Sequence, residues 1–154
     1  MKDFSNSHAP SSALIDCLEA KQKALEQFLA MTETLRDRLA SQDLSEVERL
    51  LNQRQGLIRT IDRMDDHIQT VKSQHSPDRG WPPEGEKKRV SWLLNRIREL
   101  SEKARAVDKE CTDRMSGWRD QVRSDLSRMR DSLKAVHGYA LKPMRPPKFL
   151  DVIR

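Results

Sequence analysis

No apolar stretch in this 154-residue chain approaches the ~20 residues that a membrane span requires; Trp92-Leu93-Leu94 is about as long as such runs become. The opening residues, Met1-Lys2-Asp3-Phe4-Ser5-Asn6-Ser7-His8-Ala9-Pro10, lack the apolar core of a signal peptide, which predicts a cytoplasmic protein with no membrane insertion. Glycine is scarce, at five residues, and this disfavours an all-β fold built from many tight turns. Only seven side chains are aromatic, so little bulk is present to wall off a deep catalytic site. The two cysteines, Cys17 and Cys111, form no CxxC pair and fall in different predicted helices. They read as reduced thiols, with Cys111 acting as a small hydrophobe on a helix seam.

Catalytic patterns are missing as well. Gly80-Trp81-Pro82-Pro83-Glu84-Gly85-Glu86-Lys87 has a superficial likeness to a phosphate-binding loop. However, Glu86 stands where the phosphate-binding lysine must be, and Lys87 replaces the hydroxyl that holds magnesium. Asp62, Asp65, Asp66 and His67 cluster on one predicted helix, yet no second His or Glu completes a ligand set, so they read as a solvated acidic patch. The histidines (His8, His67, His75, His137) have no paired spacing, and no Ser-His-Asp or Cys-His arrangement can be assembled. The expectation is a protein with no enzymatic activity, cofactor or metal. Net charge is +5, a mild basic balance. On the last helix Arg114, Arg119, Arg123, Arg128, Arg130 and Lys134 alternate with Asp113, Asp120, Asp125 and Asp131. Nucleic-acid faces segregate positive charge, so this mixture reads as an ordinary solvated face and predicts no nucleic-acid partner.

What the chain does have is helical periodicity. Leu14, Leu18, Leu25, Phe28, Leu35 and Leu39 recur in heptad spacing, with Lys21 and Thr32 in the gaps, and predict a helix over about 12–41. Gln42-Asp43-Leu44 makes a short connection. Ser45-Glu46-Val47-Glu48 matches a capping box and opens a second helix over 46–74, carrying Val47, Leu50, Leu57, Ile61, Met64, Ile68 and Val71. Leu51 and Ile58 widen its apolar face, which suggests contact with two neighbours. The short connection sets the first two helices antiparallel. A Pro- and Gly-rich loop over 75–85 follows.

The third helix, predicted over 86–137, has a seam of Val90, Leu93, Ile97, Leu100, Ala104, Val107, Cys111, Met115, Trp118, Val122, Leu126, Met129, Leu133 and Val136. Gly138 is expected to end it. The pattern as a whole predicts an all-α fold: an antiparallel hairpin plus a long third helix, an elongated coiled-coil-like bundle. Residues 1–10 are expected to be mobile, 11–137 to form one helical domain, and 138–154 to form a flexible, proline-containing tail. A hairpin of ~45 Å covers only part of a third helix of ~78 Å, at 1.5 Å per residue. The stripe of Trp118, Val122, Leu126, Met129, Leu133 and Val136 is then left without a cover, and such stripes mark interaction surfaces. Three covers remain open: a fold-back at Gly117, self-association into a homo-oligomer, or a foreign amphipathic helix.

Two segments resemble the FlgN-like flagellar export chaperones. One is Leu50-Leu51-Asn52-Gln53-Arg54-Gln55-Gly56-Leu57-Ile58-Arg59-Thr60-Ile61-Asp62. The other is Gly138-Tyr139 followed by Pro146-Pro147-Lys148-Phe149-Leu150-Asp151, although Val152-Ile153-Arg154 replaces the basic cluster that closes many members. The resemblance implies a cytosolic chaperone that binds the C-terminal helix of hook-associated (junction) proteins, prevents premature assembly and delivers them to the export gate. It further implies that Tyr139 takes the place of the tyrosine that helps related chaperones dock on the gate protein FlhA. The alternative for Tyr139 is a ring folded over the helix end. For the chain as a whole, the alternative is a structural coiled-coil protein that self-associates through the helix-three stripe.

Overall fold

The computed structural model describes residues 10–75 and 82–140. They form three helices, α1 (Pro10–Ser41), α2 (Leu44–Ser73) and α3 (Glu84–Ala140), and no strand occurs among the described residues. The fold is all-α, as the periodicity predicts. The chain divides at Met115–Ser116 into two units. In the first unit, α1, α2 and the part of α3 up to Met115 pack together.

Burial follows the heptads. Leu14, Leu18, Leu25, Leu35 and Leu39 of α1, Val47, Leu50, Ile68 and Val71 of α2, and Val90, Leu93, Ile97, Leu100, Ala104, Val107 and Cys111 of α3 are all buried. Phe28, Leu57, Ile61 and Met64 are only half-buried, so the middle of the α1/α2 seam is not sealed. Thr32 is fully buried in the α1 seam. Its hydroxyl donates to the Phe28 carbonyl one turn back, at 2.7 Å, so the polar group costs the core little.

Ion pairs across the helix surfaces fix the directions. Lys21 pairs with Asp65, placing the start of α1 beside the end of α2, so the two are antiparallel. Arg89 reaches Glu19 at 2.6 Å, and Arg36 reaches Glu110 at 3.7 Å, so α3 runs parallel to α1 in this unit. These exposed pairs set register and add little stability. Stability comes from the buried aliphatic side chains, each worth about 1.5–3 kcal/mol when fully removed from water.

The helix ends depart from the sequence reading in three places. The cap of α2 is Asp43, not Ser45. Helix α2 starts at Leu44, Asp43 Oδ1 accepts from the Glu46 N–H at 3.3 Å, and Ser45 Oγ donates to the same carboxylate at 3.1 Å. A carboxylate at this position also meets the positive end of the helix, which a serine hydroxyl cannot do as well. The α1–α2 connection is therefore Gln42-Asp43 alone, and Gln42 takes a left-handed φ of 55° to make the reversal.

Helix α3 begins at Glu84, so Glu84 and Gly85, expected in the preceding loop, are helical. The Pro83 carbonyl accepts from the N–H groups of Glu86 and Lys87, at 2.9 and 3.2 Å. Glu84 and Glu86 place negative charge in the first turn, where the dipole favours it.

At its other end α3 does not stop at Gly138 but continues to Ala140. Gly138 does not adopt the left-handed conformation of a helix-ending glycine. Tyr139 therefore belongs to the last turn of α3 and not to a tail. The rest of the expected tail, 141–154, lies outside the described residues. So do 1–9 of the expected mobile N-terminus and 76–81 of the expected loop.

Candidate interaction surface

The second unit contains the described residues 116–140, all within α3. Gly117 lies inside the helix, and no turn occurs at Ser116-Gly117. At 3.6 residues per turn, Trp118, Val122, Leu126, Met129, Leu133 and Val136 fall within an arc of about 80°. Trp118 is half-buried, whereas Val122, Leu126, Met129, Leu133 and Val136 are 45–64% exposed. Every residue from 121 to 139 is exposed, so no described part of the chain covers this face. Leaving five large apolar side chains this wet forgoes on the order of 5 kcal/mol of transfer free energy. Tyr139 stands three residues beyond Val136, 78% exposed, about 60° outside the arc.

The flanks of the stripe carry both signs of charge. Arg119 pairs with Asp120 at 3.5 Å, and Gln121 Nε2 donates to Asp125 at 3.1 Å. An apolar stripe rimmed by alternating charges suits an amphipathic helix, which presents the same pattern in return.

A second apolar feature lies in the first unit, and the sequence reading did not single it out. Between α1 and α2, with no α3 residue in their linings, run two open grooves of about 490 and 410 Å³. One is lined by Cys17, Ala20, Thr60 and Met64, together with Asp16, Arg63 and His67. The other is lined by Ala30, Met31, Leu50 and Leu57, together with Gln27 and Thr34. The signal was present in Ala20 and Ala30, small residues outside the main seam beside Met31. Leu57 and Met64 sit on the groove rather than in the sealed core.

Arg54, part of the segment that carries the family resemblance, ties the three helices together. Its guanidinium pairs with Asp108 of α3 and lies over the Phe28 ring of α1, 4.9 Å from the ring centre. The side chain is largely buried, so this is a structural role within the first unit.

The two thiols are free and differ in access. Cys111 is fully buried and its Sγ donates to the Thr32 carbonyl at 3.5 Å, while Cys17 is half-buried at the groove. Burial pushes both thiol pKa values up, with Asp16 adding to the effect at Cys17. Of the acidic cluster on α2, Asp65 is engaged with Lys21. No group of three or more His, Cys, Asp or Glu among the described residues could hold a metal ion. No described helix is long and apolar enough to cross a membrane.

Comparison with known proteins finds no counterpart: no family model, no curated protein and no solved structure matches the chain.

Proposed function

We propose that this protein is a cytoplasmic export chaperone of the FlgN-like kind. In this reading it binds the C-terminal helix of hook-filament junction proteins, prevents their premature assembly, and delivers them to the export gate protein FlhA. The observation that carries the reading is the uncovered stripe from Trp118 to Val136. It is a binding face as long as a client helix of about five turns, on a segment of α3 flanked by charged and polar residues. The segment 50–62 and the close of the chain supply the likeness to the family. The protein then acts by binding alone: it buries the client's apolar stripe against its own and catalyses no reaction.

The test is co-purification of the protein from its native cytosol, with partners identified by mass and the Val122→Glu/Met129→Glu variant as control. A junction protein retained by the wild type and lost by the variant supports the reading. Retention by both moves the client site elsewhere. Tyr139→Ala is expected to lower export more than client binding; equal loss of both would assign Tyr139 to the client site. A structural protein that self-associates through the same stripe is the second reading, favoured by the same exposed face, and it predicts no junction protein in either sample.

A further inference from the structure

Where α1, α2 and α3 meet in the first unit there is a cavity of about 320 Å³, which shares no lining residue with the two grooves between α1 and α2. Leu25, Phe28, Ile58 and Ala104 make its apolar wall, with Leu25 and Ala104 buried. The rest of the lining is Arg54, Ser101, Arg105 and Asp108, two cations against one anion, an excess of one positive charge. Asp108 pairs with Arg54, whereas Arg105 has no ion pair among the described residues. Arg54 itself is only partly satisfied. Its side chain is 13% exposed, Asp108 engages it through Nη2, and its Nε is buried with no acceptor. A guanidinium carries five donors in one plane, so one that meets a single carboxylate oxygen keeps capacity for a second anion. The Asp108 pair and the Phe28 ring hold Arg54 in place, so little side-chain freedom is lost when an anion arrives. Ser101 adds a hydroxyl that makes no hydrogen bond among the described residues.

We infer that this cavity binds a small monocarboxylate with an apolar body. Each part of that class answers a feature of the lining. The excess of one positive charge matches one negative charge, and planar guanidinium donors suit the two oxygens of a carboxylate. The apolar wall selects an aromatic or branched aliphatic body. A compact hydrated anion such as phosphate would leave Phe28 and Ile58 unused and would give up its own water beside them. Ligand sites run from about 300 to 1,000 Å³, so this one, at the low end, takes a small molecule. The cavity lies wholly in the first unit and shares no residue with the α3 stripe, so the inference holds whether or not the stripe binds clients.

Phenylacetate is the probe, with phenylacetamide as its uncharged counterpart and inorganic phosphate as an anion without a body. Each is titrated into the full chain and followed by ligand-observed NMR. Saturable binding of phenylacetate at millimolar concentration is expected, with phenylacetamide and phosphate each weaker by about tenfold or more. Arg105→Gln is expected to weaken phenylacetate by about tenfold, the effect of losing one charged hydrogen bond. Ser101→Leu fills the cavity and is expected to abolish binding. Arg105 is exposed, Ser101 is half-buried, and Gln and Leu are good helix formers, so a melt at the wild-type temperature separates a lost site from a lost fold. The absence of saturable phenylacetate binding would overturn the inference. So would binding that survives both substitutions, which would place the anion elsewhere on this basic chain. Phosphate or phenylacetamide bound as tightly as phenylacetate would refute the ligand class.

Discussion

Val122→Glu combined with Met129→Glu places two carboxylates on the uncovered face of α3, and its effect on folding follows from exposure. Val122 is 45% and Met129 63% exposed, so neither substitution buries a charge. Surface changes of this kind stay within about 0.5 kcal/mol each, and Glu is a better helix former than Val. At about 4 °C per kcal/mol for a chain of this size, the melt is expected to move by less than about 4 °C. Leu93→Ala is the contrasting perturbation. Leu93 is fully buried within the cluster that includes Leu14, Leu18 and Ile97. Its truncation leaves a cavity and costs about 3 kcal/mol, or about 12 °C. Leu57, half-buried and lining one of the grooves between α1 and α2, is the weaker control, because it reports on both core and groove. The assay is a thermal melt by circular dichroism at low protein concentration, with helix content read at the start. If the double variant melts as early as Leu93→Ala, the stripe is packed inside the folded monomer and the reasoning from exposure fails.

Other expectations follow from single positions. Gly117 is exposed, and a methyl group added there meets nothing within 4 Å, so Gly117→Ala is expected to stabilise α3 by about 1 kcal/mol; an unchanged or lower melt would mean that the helix needs to open there. Thr32→Val keeps the shape of a fully buried residue and removes a hydroxyl satisfied only by its own helix, so stability is expected to change by less than about 1 kcal/mol, whereas a large loss in a denaturant titration would reveal a second role for the hydroxyl. Both thiol pKa values are raised in the folded chain, so folding holds those protons to higher pH than the unfolded state does. Their contribution is full below the unfolded thiol value of about 8.5 and is lost as pH rises through the folded values, so the melt is expected to fall on the alkaline side. In thiol labelling at neutral pH, Cys17 is expected to react first and Cys111 only on unfolding; fast labelling of Cys111 would contradict its burial.

The seams of this fold were legible because heptad spacing reports directly on which face is buried. Leu14, Leu35, Leu93 and Cys111 sit where the period places them. The helix ends were less legible, since several residues compete for each cap. Ser45 and Asp43 both offer oxygens two residues apart, and only the position of the first turn decides between them. Gly138 has the chemistry of a helix stop, but the backbone can also carry glycine in helical conformation at modest cost, and here it does. The stripe could be read from the sequence because it continues the register of a seam whose partners run out. The grooves between α1 and α2 could not, because a groove depends on how two helices splay around half-buried residues such as Met31, Leu57 and Met64. No period in either helix alone encodes that gap.

The central claim is that the stripe from Trp118 to Val136 receives the apolar face of a client helix. Titrating a peptide that spans the C-terminal helix of a hook-filament junction protein into the full chain, by calorimetry, tests it most directly. The account predicts saturable binding of one peptide per chain, with the affinity of Val122→Glu/Met129→Glu weakened by about a hundredfold or more, as loss of central apolar anchors does. Binding of equal strength to the wild type and to the double variant would contradict it.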